Sequence, residues 1–276
     1  MSGISEYLAN KWLDHVLKAQ AYAPPSRLFL GLGEVVGGVW QSEISDPYYR
    51  RQPISFLPAQ SDTGVAQILP YSDLERPVRF PIARQSWGDI TQYGVFDAVT
   101  GGNLLFSSDY PISSTVNAGD VVEVAAGTGV SLANILNGNA GPSFSNWLGK
   151  KLLNLTLRGE AFSMSGVDIN VVLCDVEPQW DDTGSTISQI SGGGYPEDGV
   201  SHNSWDAAGG KAAFNDGEIR YPEVTDADPW DGAQHFALVD SSGNLLIFGY
   251  CTMSSPQVGE EVVFYDGNLA ITLDDV

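Results

Sequence analysis

Basic residues are scarce in this chain, and acidic residues outnumber them by a wide margin. Its 276 residues include 13 Lys and Arg against 34 Asp and Glu, which gives a formal net charge of −21 at pH 7 and a sequence pI of about 4.1. Such a surface repels a phosphate backbone, so we expect no nucleic-acid partner. The same charge keeps a protein soluble at high concentration.

Cysteine is scarce as well. Cys174 and Cys251 both lie in apolar runs of the second half of the chain, and the first half contains none. A disulfide framework therefore does not hold this fold together. Free, buried thiols are the expected state. A bridge between Cys174 and Cys251 is the alternative.

Long apolar runs are absent too. No run reaches the ~20 residues that a membrane-spanning helix needs, so we expect no membrane partner. The N-terminal residues Met1–Glu6 lack a basic segment followed by an apolar one. This composition predicts no signal peptide and a protein made in the cytoplasm.

Motifs for catalysis or cofactor binding are also missing. The three histidines, His15, His202 and His235, lie in different predicted elements, and the sequence has no HxH, HExxH, CxxC or Gly-x-Ser-x-Gly pattern. Catalytic and metal sites need converging partners. We therefore expect no enzyme activity and no cofactor.

An acidic loop at Asp226–Gly232 is the best candidate for a metal site. Asp226, Asp228 and Asp231 are closely spaced, and clustered carboxylates can supply the oxygen ligands that calcium prefers. The spacing is not that of an EF-hand loop, and the corresponding segment Arg84–Asp89 is not acidic. We expect a solvated loop, with calcium binding as the alternative.

The sequence repeats itself: Tyr7–Leu132 recurs, diverged, as Trp147–Leu273. Each copy begins with an amphipathic helical pattern and continues with short apolar segments separated by Gly-, Asn- and Asp-rich turns. In the closing block, Gly119–Val122 is matched with Glu260–Val263. Internal similarity over this length indicates a duplicated domain.

The repeat predicts a mostly β chain of two tandem antiparallel β-sandwich-like domains, 1–136 and 137–276, each with an N-terminal α-helix and its own core. The first helix is predicted at 4–18, with Ser2 or Ser5 as its cap. The predicted strands are 27–32, 52–57, 78–82, 90–97, 103–107, 121–125 and 128–132 in the first copy, and 168–174, 200–205, 219–224, 233–239, 244–250, 261–265 and 268–273 in the second.

Two pairs of residues occupy matching positions in the copies. Asp97 and Asp240 each precede a Gly-Asn turn, where an Asp side chain can bond to its own backbone. Trp87 and Trp230 each follow a Pro-containing strand and are expected to pack into the end of the hydrophobic core. Stacking of these indoles on a sugar is the alternative.

The block Phe80–Phe106, with Trp87-Gly88 and Asp97, resembles a family of small acidic virion structural proteins of tailed bacteriophages, labelled tail fibre or head decoration proteins. A helix like Tyr7–Leu17 and a middle segment like Tyr49–Phe56 belong to the same pattern. The resemblance covers nearly all of the first copy. The second copy is similar to a diverged member of the family.

The resemblance implies a non-enzymatic virion protein, and we favour a capsid decoration or cement protein on the head exterior. Its partners would be the major capsid protein or other virion proteins. It would form a homo-oligomer, for which the duplication alone suggests a trimer, or be present in many copies on the virion. A tail fibre or baseplate appendage that contacts the host surface is the first alternative, and a sugar-binding or hydrolytic module is the second.

The predicted partner contacts are Tyr48, Tyr49, Arg50 and Arg51, because adjacent Tyr and Arg are enriched at interface hot spots. The alternative interpretation is an edge strand whose charges prevent aggregation. In the second copy, Tyr195 is followed by Pro-Glu-Asp instead. We therefore expect the two copies to present different surfaces.

Overall fold

The structure is a computed structural model that describes residues 3–36, 39–59, 65–70, 77–125, 128–131, 143–225, 230, 232–251, 253 and 255–273. It is mostly β, with antiparallel sheets. Its two described helices are α1 (Glu6–Leu17) and α2 (Asn146–Arg158).

The first copy forms a large antiparallel sheet. Its strands are β1 (Gly3–Ile4), β2 (Leu28–Val36), β3 (Val39–Glu43), β4 (Gln52–Phe56), β5 (Val65–Pro70), β6 (Val78–Arg79), β7 (Gly88–Phe96), β8 (Leu104–Val116), β9 (Glu123–Val124) and β10 (Gly129–Ser131). The sheet order is β1-β8-β7-β2-β4-β5-β10, and β3 pairs with β2. Strands β6 and β9 pair separately.

The second copy forms a smaller sheet and two short ladders. Its strands are β11 (Ser143–Phe144), β12 (Ile169–Cys174), β13 (Val200–Ser201), β14 (Ala212–Phe214), β15 (Ile219–Arg220), β16 (His235–Asp240), β17 (Leu245–Tyr250), β18 (Val263–Phe264) and β19 (Ala270–Thr272). The sheet order is β11-β17-β16-β12-β13, with β14–β19 and β15–β18 as separate pairs.

The topology confirms the tandem duplication. The order β11-β17-β16-β12-β13 repeats β1-β8-β7-β2-β4, the pair β14–β19 repeats β5–β10, and β15–β18 repeats β6–β9. Strand β3 has no counterpart among the described residues of the second copy. All fourteen predicted strands overlap observed ones, whereas β1, β3, β5, β11 and β14 were not predicted.

The predicted match of the closing block is wrong by one residue. Gly119 and Gly259 occupy the same turn, with φ angles of 97° and 87°. In both turns the carboxylate of the next residue accepts a hydrogen bond from the backbone N–H three residues before it. A positive φ favours glycine, so the glycines fix the register and Val122 matches Val262.

Both helices begin with the same cap. The hydroxyl of Ser5 accepts a hydrogen bond from the backbone N–H of Leu8, and that of Ser145 accepts one from Leu148. A capping serine satisfies an N–H that has no partner within the helix. The prediction of Ser5 as a cap is confirmed.

The two copies share one continuous hydrophobic core, so the expectation of separate cores is wrong. Trp12 of α1 is 0% exposed, and its Nε1–H donates to Thr156 Oγ1 of α2 at 2.8 Å. Its ring lies 5.8 Å from Phe106 of its own copy and 6.2 Å from Phe144 of the other. The amphipathic pattern of a helix gives its buried face but does not say what covers it.

Each helix also contacts the opposite copy through equivalent side chains. Asp14 Oδ1 in α1 accepts a hydrogen bond from the N–H of Ala208 at 2.8 Å. Asn154 occupies the equivalent position in α2, and its Oδ1 accepts a hydrogen bond from the N–H of Ala59 at 2.9 Å. Helix α1 packs against β14, while α2 packs against β4 and β5. The copies therefore form an intramolecular pair with approximate two-fold symmetry, the arrangement of an isologous dimer.

The boundaries 1–136 and 137–276 stay a prediction, because residues 132–142 lie outside the described part of the chain. In the residues that the structure describes, no helix has the length and apolar composition to cross a membrane.

Candidate interaction surface

Three aromatic rings join the loop before β4 to the loop before β7 in the first copy. Tyr49 stacks on Phe80, with ring centres 6.0 Å apart, and meets Trp87 edge-on at 5.6 Å. The Tyr49 hydroxyl accepts a hydrogen bond from the N–H of Leu32 at 2.7 Å. Trp87 Nε1–H donates to Asp46 Oδ2 at 2.6 Å. Burial raises the pKa of Tyr49, so the phenol stays neutral in the fold.

The second copy repeats this aromatic triad. Tyr195 stacks on Tyr221 at 5.9 Å and meets Trp230 edge-on at 5.1 Å. Its hydroxyl accepts a hydrogen bond from the N–H of Leu173, which lies in β12 as Leu32 lies in β2. Burial raises the pKa of Tyr195 and of Tyr221. The predicted core role of the matched tryptophans is confirmed, since Trp230 is buried and Trp87 packs against the core.

An exposed basic and apolar surface lies at the outer end of the first triad. We call it the basic tip and define it as Tyr48, Arg50, Ile82 and Arg84. Tyr48 is 52% exposed and Ile82 is 57% exposed. The Arg84 guanidinium lies 4.7 Å from the centre of the Tyr48 ring. No carboxylate among the described residues forms an ion pair with Arg50 or Arg84.

The matching surface of the second copy is acidic. We call it the acidic tip and define it as Glu197, Asp198 and Glu223, all of which are exposed. Glu223 takes the place of Ile82, because the next residue in each copy donates its N–H to the same turn. The tips therefore have one scaffold and opposite charge.

The charge difference extends over the two copies. Residues 1–136 contain 8 Lys and Arg against 13 Asp and Glu, whereas residues 137–276 contain 5 against 21. The formal charges are −5 and −16. Most of the negative charge of the chain thus belongs to the second copy.

Arg51 points into the fold rather than outward. It is 7% exposed, and its guanidinium pairs with Glu43 at 2.7 Å. Its Nη1 donates to the backbone oxygens of Ala98 and Gly101, both at 2.7 Å, and its Cζ lies 3.5 Å from the centre of the Phe96 ring. Arg51 therefore joins the loop before β4 to the turn between β7 and β8.

The structure separates the four predicted partner contacts into two groups. Tyr49 and Arg51 have intramolecular partners that hold the loop in place, whereas Tyr48 and Arg50 are exposed. The four residues lie between β3 and β4, outside both strands, so the edge-strand alternative is wrong. A partner contact through Tyr48 and Arg50 stays a prediction. Sequence reasoning missed Ile82 and Arg84, which are far from Tyr48 in the chain.

The neighbouring arginines give a matched test of this division. We expect Arg51→Lys to lower the free energy of unfolding by about 2 kcal/mol, because an ammonium cannot reproduce the planar guanidinium contacts. Arg50→Lys should change it by less than about 0.5 kcal/mol, because the side chain is exposed. Urea denaturation of both variants measures the difference. An equal change in the free energy of unfolding for the two variants would mean that Arg51 is exposed, as Arg50 is.

Asp97 and Asp240 form the predicted turns. Asp97 Oδ1 accepts a hydrogen bond from the N–H of Asn103 at 2.6 Å, and Oδ2 accepts one from the Asn103 side chain at 2.7 Å. Asp240 makes the same two bonds with Asn244 at 2.8 Å. Both carboxylates therefore have a structural role, and this prediction is confirmed.

The cysteines are free thiols, so the disulfide alternative is wrong. Cys174 packs in a small cluster on the outer face of the second sheet, whereas Cys251 packs against the shared core. Burial raises the pKa of Cys174 to about 12 and that of Cys251 to about 11.

These raised pKa values predict a loss of stability at alkaline pH. An unfolded thiol ionises near pH 8.5, whereas the folded thiols keep their protons to about pH 11 and 12. The unfolded state then binds fewer protons, so the free energy of unfolding falls as pH rises above about 8.5. Urea denaturation between pH 8 and 10 measures the slope. The variant with Cys174→Ala and Cys251→Ala should flatten it, and an unchanged slope would exclude the thiols as the cause.

The other candidate ligands do not converge in the described part of the chain. His15 and His202 are buried in different copies, and His235 lies in β16. No group of three or more His, Cys, Asp or Glu side chains able to hold a metal ion occurs among the residues that the structure describes. Asp226, Asp228 and Asp231 lie outside those residues, so the calcium alternative stays a prediction.

Comparison with known proteins gives the same division into two copies. No curated protein matches the chain. A family model described as "podophage GP4 fiber I protein gp80" matches residues 3–130 and again residues 143–272. The two matched regions correspond to the two copies seen in the topology and together span nearly the whole chain. The chain therefore belongs to the podophage GP4 fiber I protein gp80 family, as two tandem members in one phage virion structural protein.

Proposed function

We propose that this chain is a non-enzymatic structural component of a phage fibre that acts by adhesion. The observation that carries the proposal is the match of both copies to a family described as a fibre protein. It favours the tail appendage, the first alternative from the sequence, over decoration of the capsid. The partners are other virion proteins and further copies of the chain.

The residues that the duplication has kept in common support a structural role. The matched sets are the Ser caps, the aromatic triads and the Asp turns, and each stabilises the fold. The clearly raised pKa values belong mainly to tyrosines and thiols buried in packed cores. Desolvation by burial is the largest cause of each shift, whereas a catalytic candidate combines desolvation with a specific charge partner in a cleft. The packing of Trp87 and Trp230 also disfavours the sugar-binding alternative.

Immunogold labelling of intact virions tests the proposed location. Antibodies against the chain should place gold on the tail and leave the capsid faces unlabelled. Gold distributed over the head would contradict the fibre assignment and favour the decoration role, with the major capsid protein as partner.

A further inference from the structure

We propose that the basic tip of one molecule docks on the acidic tip of another molecule of the same protein. This inference deepens the proposed fibre function and rests on it. It assigns another molecule of the same protein, through its acidic tip, as the partner of Tyr48, Arg50, Ile82 and Arg84. The contact is heterologous, because two different surfaces meet, and repeated heterologous contacts produce a closed ring or a filament.

The basic tip is held in place before any partner binds. The N–H of Tyr48 donates to Asp46 Oδ1 at 2.8 Å, and the same carboxylate accepts the Trp87 indole N–H through Oδ2. Gln85 Nε2 donates to the backbone oxygen of Ser45 at 3.2 Å, which joins the two loops of the tip. A preorganised surface loses less conformational entropy on association.

The acidic tip has an equally fixed scaffold. The N–H of Thr225 donates to the backbone oxygen of Gly193 at 3.2 Å, next to the Trp230 indole bond to the same oxygen. Gly194 has a φ of 86°, and a Cβ there would lie 2.7 Å from the backbone oxygen of Glu223. The two loops of the acidic tip are thus in close contact, as those of the basic tip are.

Charge selects the pairing of unlike tips. Two basic tips repel each other, and so do two acidic tips, whereas opposite potentials attract and orient partners. Arg50 and Arg84 have no carboxylate partner among the described residues of their own chain. The exposed Tyr48 and Ile82 add apolar area beside these charges, and Tyr and Arg are the residue types of interface hot spots.

Sedimentation velocity of the full chain over a concentration series at low salt tests the proposal. The sedimentation coefficient should rise with concentration, and the rise should weaken as salt screens the charges. The variant with Arg50→Glu and Arg84→Glu, which has two acidic tips, should lose the rise. The variant with Glu197→Arg and Glu223→Arg, which has two basic tips, should lose it as well.

An equal mixture of the two variants should regain the association, because each acidic tip then finds a basic one. The matched control is Lys18→Glu with Lys151→Glu, two exposed lysines outside the tips, which changes the net charge as Arg50→Glu with Arg84→Glu does. This control should keep most of the rise of the sedimentation coefficient with concentration. Unchanged far-UV circular dichroism shows that each variant is folded.

The inference would be overturned by a wild-type chain that stays monomeric at every concentration, by a control that loses association as completely as the tip variants, or by a mixture that stays monomeric. A wild-type rise that survives both tip variants would do the same and assign self-association to another surface. Each of these results is separate from the virion labelling. Gold on the tail with a monomeric chain would retain the fibre function and reject only the tip contact.

Discussion

Replacing Trp12 with alanine is expected to lower the free energy of unfolding of the whole chain by about 3–5 kcal/mol. The side chain is fully buried and contacts both copies, through Phe106 on one side and Phe144 on the other. The substitution also removes the indole donor of the bond to Thr156 in α2 and leaves that hydroxyl in the shared core without this donor. Both copies should therefore be destabilised together.

Urea denaturation gives the size of the effect, and amide hydrogen exchange in β7 and β16 shows which copy opens. The control is Trp180→Ala, because Trp180 is 50% exposed and its replacement should lower the free energy of unfolding by less than about 0.5 kcal/mol. Faster exchange in β7 alone, with β16 unchanged, would mean that the two copies are independent.

Separating the copies should have a still larger effect. Produced as individual chains, residues 1–136 and residues 137–276 should each fail to fold into a stable monomer. Each would expose the apolar helix face and the strands that the other copy covers, and large exposed apolar patches drive association or aggregation. Mixed from denaturant, the two chains should recover the native fold as a one-to-one complex.

Circular dichroism and light scattering after size-exclusion chromatography measure folding and mass. The control is the intact chain with a protease site inserted between residues 137 and 141, which should stay folded after cleavage. Two halves that fold separately, each with its own cooperative transition, would contradict a shared core.

Much of the fold could be predicted because the sequence patterns that specify it are local. Amphipathic patterns predicted both helices, and short apolar segments between turn residues predicted fourteen strands. Ser5 and Asp97 have roles that their short-range hydrogen bonds define. The internal repeat added a second source of evidence, since Asp240 has the same role as Asp97. Local chemistry of this kind does not depend on what the other copy does.

The shared core, the direction of Arg51 and the composition of the tips depend on contacts distant in sequence. An arginine next to an exposed arginine shows no local sign of burial, yet Arg51 reaches oxygens 47 and 50 residues away. The basic tip likewise combines Tyr48 with Arg84 from another loop. The Pro-Glu-Asp segment after Tyr195 and the acidic loop Asp226–Gly232 both indicate in the sequence that the two surfaces differ.

Differential scanning calorimetry of the intact chain measures whether the two family members form one cooperative unit. We expect a single transition whose calorimetric enthalpy equals its van't Hoff enthalpy for all 276 residues. Two resolved transitions, one for each copy, would contradict it.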